Sequence, residues 1–228
     1  MSPELESTSA QLRRLALQNG LAGVAASEGE IMPRIKSFLA ESRDVQLHAH
    51  RAGLPGVGVA KLRSDAMDIV ITALHTRAGK TAENFSLIAT GGYGRAELCP
   101  LSDIDLLVII PSHNGSSKKA VETILYPLWD AGLKVGQSVR TVSETASHAQ
   151  DDLHLQVALL ENRLICGATE PYAQLNEKLT KLLSGKSWQP LAKSIVESQR
   201  KRREKAGGSA YLREPDLKNG VGALRDVQ

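Results

Sequence analysis

The stretch GGYGRAELCPLSDIDL, residues 91–106, decides the reading of this chain. Asp103 and Asp105 stand two apart on a segment that runs into the apolar stretch Leu106–Ile110. Side chains of a strand alternate faces, so both carboxylates point the same way. Two acids side by side repel and lose hydration, which is costly unless a cation lies between them. Oxygen ligands at this spacing suit Mg²⁺ or Mn²⁺, with substrate phosphates completing the shell. The plainer alternative is a turn in which Ser102 or Asp103 caps the backbone and Asp105 faces water. Ten residues upstream of the pair, beyond the spacer 93–102, lie Gly91 and Gly92. Glycines let a backbone pass close to a phosphate and expose its N–H groups. A short helix over 93–98 would add an anion-favouring N-terminus, and Arg95 a charge-assisted contact. Together these are the equipment for moving a nucleotidyl group from a triphosphate.

Outward from this stretch, Phe85–Ala89 reads as a short buried strand before the glycines, and Leu106–Ile110 as a second, closed by Pro111. Such continuous apolar runs fit strands covered on both faces. Residues 117–131 read as a helix, stopped by Gly132, and Leu133–Val142 alternates like a strand. Upstream, helices are expected from Pro33 and over Val59–Arg77, separated by the breaker GLPGVG at 53–58. Downstream, the pattern predicts helices over Asp151–Leu164, Pro171–Leu183 and Pro190–Lys205, then an irregular stretch to residue 228. The expected class is α/β of the α+β type, a small mixed sheet flanked by N- and C-terminal helices. Its divisions are a lead-in at 1–30, poorly ordered or with a short helix near Leu12–Leu17; N-terminal helices at 31–84; a sheet core at 85–145; C-terminal helices of the same domain at 146–208; and a tail at 209–228.

Composition sets the bounds. The chain has 228 residues, 42% hydrophobic and 23% charged, which suits a folded protein and excludes collagen or a disordered acidic tail. With aromatics at 4%, the core must come from Leu, Val, Ile and Ala. No apolar run approaches the roughly 18 residues of a membrane span. The opening MSPELESTSA is not a secretory signal, and Cys99 and Cys166 read as reduced thiols of a cytoplasmic protein. The net charge of +3 is uneven: residues 200–228 hold eight basic and four acidic side chains. Arg200–Arg203 therefore reads as a solvated helix face, or as a contact for phosphates or an acidic partner. Nucleic-acid binding has little support, since aromatics are scarce and no recognition motif is present. Gly79-Lys80-Thr81 lacks the first glycine of a phosphate-binding P-loop, the position being Leu74. Gly56 and Gly58 lack the third glycine of a dinucleotide fingerprint. His48 and His50 read as exposed helix residues.

Gly-Gly, a spacer of about ten and Asp-apolar-Asp-apolar resemble the nucleotidyltransferase superfamily of DNA polymerase β. The longer string GGYGRAELCPLSDIDLLVI resembles the PII-protein uridylyltransferases, the bifunctional uridylyl-transfer and uridylyl-removing enzymes of bacterial nitrogen regulation. VGQSVRT (135–141), LLENRLICG (159–167) and YLREPDLKNGVGALRDVQ (211–228) agree with that family in the same order. The resemblance implies that Asp103 and Asp105 bind catalytic Mg²⁺ or Mn²⁺, and that Gly91 and Gly92 form the loop over the triphosphate with Arg95 and Ser102 nearby. It implies transfer of the uridylyl group of UTP to a tyrosine hydroxyl of a PII signal protein, releasing pyrophosphate. Adenylyl transfer from ATP and a non-catalytic nucleotide- or PII-binding remnant are the alternatives.

The chain departs from the pattern in three places. Many members of the wider superfamily carry a third carboxylate on the next strand, whereas Lys134–Arg140 has none. Glu97, Glu144, Asp151 and Asp152 are unranked candidates for the missing ligand or general base. Ala223 stands where relatives show a second glycine, which is expected to restrict the turn between Lys218 and Arg225. Relatives continue past the position of Gln228 into a metal-dependent phosphohydrolase domain and glutamine-sensing domains. None of the six histidines is followed by Asp, so uridylyl removal has no visible equipment and the chain reads as a fragment.

Overall fold

The computed structural model describes residues 3–21, 31–184, 188–209, 211 and 213–227. Three helices open the chain: α1 (Pro3–Gln18), α2 (Ile31–Arg51) and α3 (Gly56–Ala78). The first is a full helix, where the sequence suggests only a short one near Leu12–Leu17; its Leu12 and Ala16 are buried. Residues 22–30 of the expected lead-in lie outside the described residues. His48 and His50 are exposed near the end of α2, as read.

A four-stranded sheet follows: β1 (Ser86–Ala89), β2 (Ile104–Ile109), β3 (Val135–Arg140) and β4 (Arg163–Gly167), in the spatial order β3-β2-β1-β4. The central β1 is antiparallel to both β2 and β4, and β2 is parallel to β3. Between the strands lie α4 (Gly91–Gly94), α5 (Gly115–Asp130), α6 (Val142–Asp151) and α7 (Leu153–Leu160). After β4 come α8 (Thr169–Leu183), α9 (Trp188–Lys205) and the short α10 (Leu224–Val227). The architecture is α/β, with a mixed sheet between helices.

Alternation along the strands sorts the sheet residues between two cores. Leu87, Ala89, Ile104, Leu106 and Val108 join Phe38, Leu62, Val70, Ile71 and Leu74 of the N-terminal helices and Ile124 and Leu128 of α5. Ile88, Leu107 and Ile109 face the other way, onto Ala149, Leu159, Leu175 and Leu179 of α6–α8. Covering both faces explains the unbroken apolar run of β2. Asp105 shares the second face, at the strand end that remains exposed.

Two further elements differ from expectation. Residues 151–164 do not form one helix: α6 ends at Asp151, α7 spans only Leu153–Leu160, and the chain then enters β4. The strand expected to reach Val142 stops at Arg140, because a capping box starts α6. Thr141 accepts the N–H of Glu144, whose carboxylate accepts the N–H of Thr141.

Candidate active site

The turn after β1 begins with the Thr90 N–H donating to the Asp105 carbonyl at 3.1 Å. Gly91 then takes φ +57°, the left-handed region where a residue with Cβ is strained by about 1 kcal/mol or more. The helical turn α4 lies on the glycines themselves, earlier than the expected 93–98. The N–H groups of Gly94, Arg95, Ala96 and Glu97 bond back to the carbonyls of Thr90, Gly91, Tyr93 and Gly92. Those of Gly91, Gly92 and Tyr93 precede the ladder, and the Thr90 side chain does not cap them.

Asp103 lies just before β2 and Asp105 within it, both exposed. A Cβ on Gly91 would sit 3.6 Å from Oδ2 of Asp105, and one on Gly136 would sit 2.8 Å from its Oδ1. The carboxylate thus occupies the space between the Gly91 turn and the third strand, where Gly136 is its register partner. Any larger residue at 136 would displace it, which accounts for β3 offering no acid there. Among the described residues neither carboxylate has a hydrogen-bond or ion-pair partner. Partial burial, and next the neighbouring charge of Asp103, make Asp105 hold its proton more tightly than an ordinary carboxylate.

The opposing influence on Asp105 is Lys218, from the far end of the chain. In the sequence this lysine is marked only by its place in the basic tail and in the family-like stretch 211–228. The turn carrying it is firmly built. Asp216 accepts the N–H groups of Lys218 at 2.9 Å and Asn219 at 2.8 Å, and Arg225 N–H donates to the Lys218 carbonyl at 3.1 Å. The left-handed residue of this turn is Gly222, at φ +75°, not Ala223. Alanine at 223 therefore does not impose the restriction expected of it.

Asp226 ties the tail to α9. Its nearly buried carboxylate accepts bonds from Arg202 and Arg203 at 2.8 Å, Gln199 at 3.1 Å and the Gly222 N–H at 2.9 Å. Arg202 and Arg203 are thus engaged within the chain, so neither a bare solvated face nor a free phosphate contact describes them.

Ser102 is exposed on the loop before Asp103, its N–H donating to the Cys99 carbonyl at 3.2 Å. Arg95 lies beside the turn, with Nη2 3.7 Å from where a Gly92 Cβ would stand. Its guanidinium is shared between Glu97, at 2.8 Å, and Glu161. Of the unranked carboxylates, Glu97 is committed to Arg95, Glu144 to the α6 cap and His113, and Asp152 to the first N–H groups of α7. Asp151 is exposed at the end of α6. Among the described residues no three His, Cys, Asp or Glu side chains converge on one point. Two unpaired hard-oxygen carboxylates are still a fitting donor set for Mg²⁺ or Mn²⁺, which commonly take one or two carboxylates plus phosphate oxygens.

Comparison with known proteins gives this geometry a context. Residues 68–166 match the nucleotidyltransferase domain family, and residues 191–228 match the GlnD PII-uridylyltransferase family. The chain is similar to a bifunctional uridylyltransferase/uridylyl-removing enzyme of Rhodopseudomonas palustris, 39% identical over 155 residues, 67% of this chain and 17% of the relative. It is similar to the enzyme of the same name from Cereibacter sphaeroides, 36% identical over 197 residues, 85% of this chain and 21% of the relative. A third, from Vibrio parahaemolyticus, is 34% identical over 203 residues, 87% of this chain and 22% of the relative. The chain spans about a fifth of the length of these curated relatives. No helix among the described residues is long and apolar enough to cross a membrane.

Proposed function

We propose that this chain, which carries a nucleotidyltransferase domain similar to those of uridylyltransferases, moves the uridylyl group of UTP to a tyrosine hydroxyl of a PII-type signal protein. The tyrosine oxygen attacks the α-phosphorus, the bond to the β-phosphate oxygen breaks, pyrophosphate leaves and the hydroxyl proton passes to solvent or a base. The observation that carries this reading is the juxtaposition of Asp105 with the Gly91 turn, a metal-type ligand beside an anion-type cradle. Asp103 and Asp105 would hold Mg²⁺ or Mn²⁺, which would neutralise phosphate charge and lower the pKa of the attacking hydroxyl. The turn's N–H groups and the Lys218 ammonium would meet the triphosphate oxygens. Catalysis here is mainly positioning and charge neutralisation.

The test is intact-mass analysis of a PII protein after incubation with this chain, Mg²⁺ or Mn²⁺, and UTP or ATP in separate arms. A gain of one uridylyl group per subunit, absent when the tyrosine is replaced by phenylalanine, is the expected result. A gain only with ATP replaces the donor. No gain in any arm from a folded sample overturns the reading for the isolated chain.

A further inference from the structure

Tyr93, in the middle of the Gly91–Gly94 turn, is buried, and it is held at both ends. Its hydroxyl donates to Asp68 Oδ1 of α3 at 2.7 Å. Its carbonyl accepts from Nη2 of Arg163, the first residue of β4, at 3.3 Å. Arg163 also grips Asp68 with two bonds, Nη1 to Oδ2 at 2.7 Å and Nη2 to Oδ1 at 3.1 Å, and its guanidinium lies 5.5 Å from the Tyr93 ring centre. One residue further, the turn rests on the chain that leads into β4. A Cβ at Gly94 would fall 1.7 Å from the Glu161 carbonyl oxygen, an impossible contact. Glu161 then holds Arg95. The turn is thus clamped by one helix from before it in the sequence and by residues 161–163 from after it.

A two-pronged guanidinium–carboxylate pair fixes both distance and plane. Joined to both ends of one tyrosine, it removes the freedom of the peptide groups on either side. Those peptides belong to the turn whose Gly91 lies beside the Asp105 carboxylate. We propose that Asp68 and Arg163, acting through Tyr93, are positioning residues for the triphosphate: they hold the turn in its phosphate-accepting shape and touch neither nucleotide nor acceptor. The inference rests on the nucleotidyl-transfer reading above.

The test is direct binding of UTP and of inorganic triphosphate, with Mg²⁺, to the wild-type chain and to the Asp68→Asn, Arg163→Lys and Tyr93→Phe variants. Thermal unfolding is measured alongside, and binding is measured well below the lowest Tm. Asp68→Asn and Arg163→Lys are expected to weaken both ligands about tenfold per folded molecule, and to raise KM for UTP more than they lower kcat. Tyr93→Phe, which loses one hydrogen bond and keeps the packing, is expected to weaken them by a smaller factor. Lys61→Ala, which breaks an ion pair with Asp65 on the same helix, should leave affinity unchanged. Variants that bind as wild type does, whatever their Tm, overturn the positioning role while leaving the transfer reading intact. A wild-type chain that binds neither ligand overturns the transfer reading and this inference with it. If the Asp68 and Arg163 variants do not fold, the Tyr93→Phe affinity decides alone.

Discussion

Asp105 carries its negative charge beside that of Asp103 and partly out of water, and its carboxyl consequently holds a proton above the ordinary carboxylate range. A carboxyl whose folded pKa is raised works against the folded state once it ionises. Its unfavourable contribution grows as pH rises through the raised value and is absent below the ordinary range. Asp103→Asn or Asp105→Asn should therefore leave the metal-free Tm unchanged or higher, while uridylyl transfer falls by about a hundredfold or more. Mg²⁺ with UTP should raise the Tm of the wild-type chain and not of these variants; scanning calorimetry with and without ligand reads both effects. Gly136→Ala puts a methyl group 2.8 Å from Oδ1 of Asp105, closer than the two atoms can rest. The carboxylate can swing aside, so stability should change little, but transfer should drop about tenfold or more because the proposed metal ligand has moved. Lys218→Gln should raise KM for UTP with a smaller effect on kcat, measured as initial rates over a UTP series. The acids and the glycine turn were legible because each follows a local period of strand or turn. Gly136 looked like a mere absence of acid, and Lys218 is joined to the pair only through space.

Among the elements, β4 shows where local pattern fails. The apolar run of α7 passes into Arg163–Gly167 with only Glu161 and Asn162 between, and neither glycine nor proline marks the change. Asn162 does the work of a stop, donating to the Leu159 carbonyl at 2.7 Å and to Asn176 at 3.0 Å, but the second partner is remote in sequence. The start of α6 is legible in the sequence, where Thr141 and Glu144 have the spacing of a capping box. Backbone bonding from Thr141, followed by His113, brings the Glu144 carboxyl down to about 2. A depressed carboxyl supports the folded state above the ordinary carboxylate range, and that support is lost as pH falls toward about 2. The stability advantage of the wild-type chain over a Glu144→Gln variant should therefore shrink as pH is lowered from neutral toward about 2, as read by thermal unfolding. In β4 itself, burial pushes the Cys166 thiol up to about 11. At pH 8 a maleimide should modify the exposed Cys99 promptly and Cys166 only on unfolding. Two promptly reactive thiols would mean that β4 does not pair with β1 as described.

The molecule as a whole is a sheet between two unequal layers, and the low aromatic content foretold a core of aliphatic side chains around few rings: Phe38, Phe85 and Tyr93. Mixed α/β content followed from the apolar strand runs and the amphipathic stretches around them. The sheet order did not, because an antiparallel β1–β4 pair joins segments with several helices between them. The basic tail was legible as charge and not as structure. Its attachment rests on Asp226, so Asp226→Ala should release it and speed cleavage by trypsin after Arg213 and Lys218, with the sheet core left intact on a gel. Consider last the clamp on the Gly91–Gly94 turn during synthesis. The glycines and both acids leave the ribosome well before Glu161 and Arg163, so a nascent chain holds the turn and the acid pair while half of the clamp is still to emerge. Assembly of the proposed site is timed to the arrival of an edge strand, and a polypeptide interrupted before it would have the acids and the glycines and no shape in which to use them.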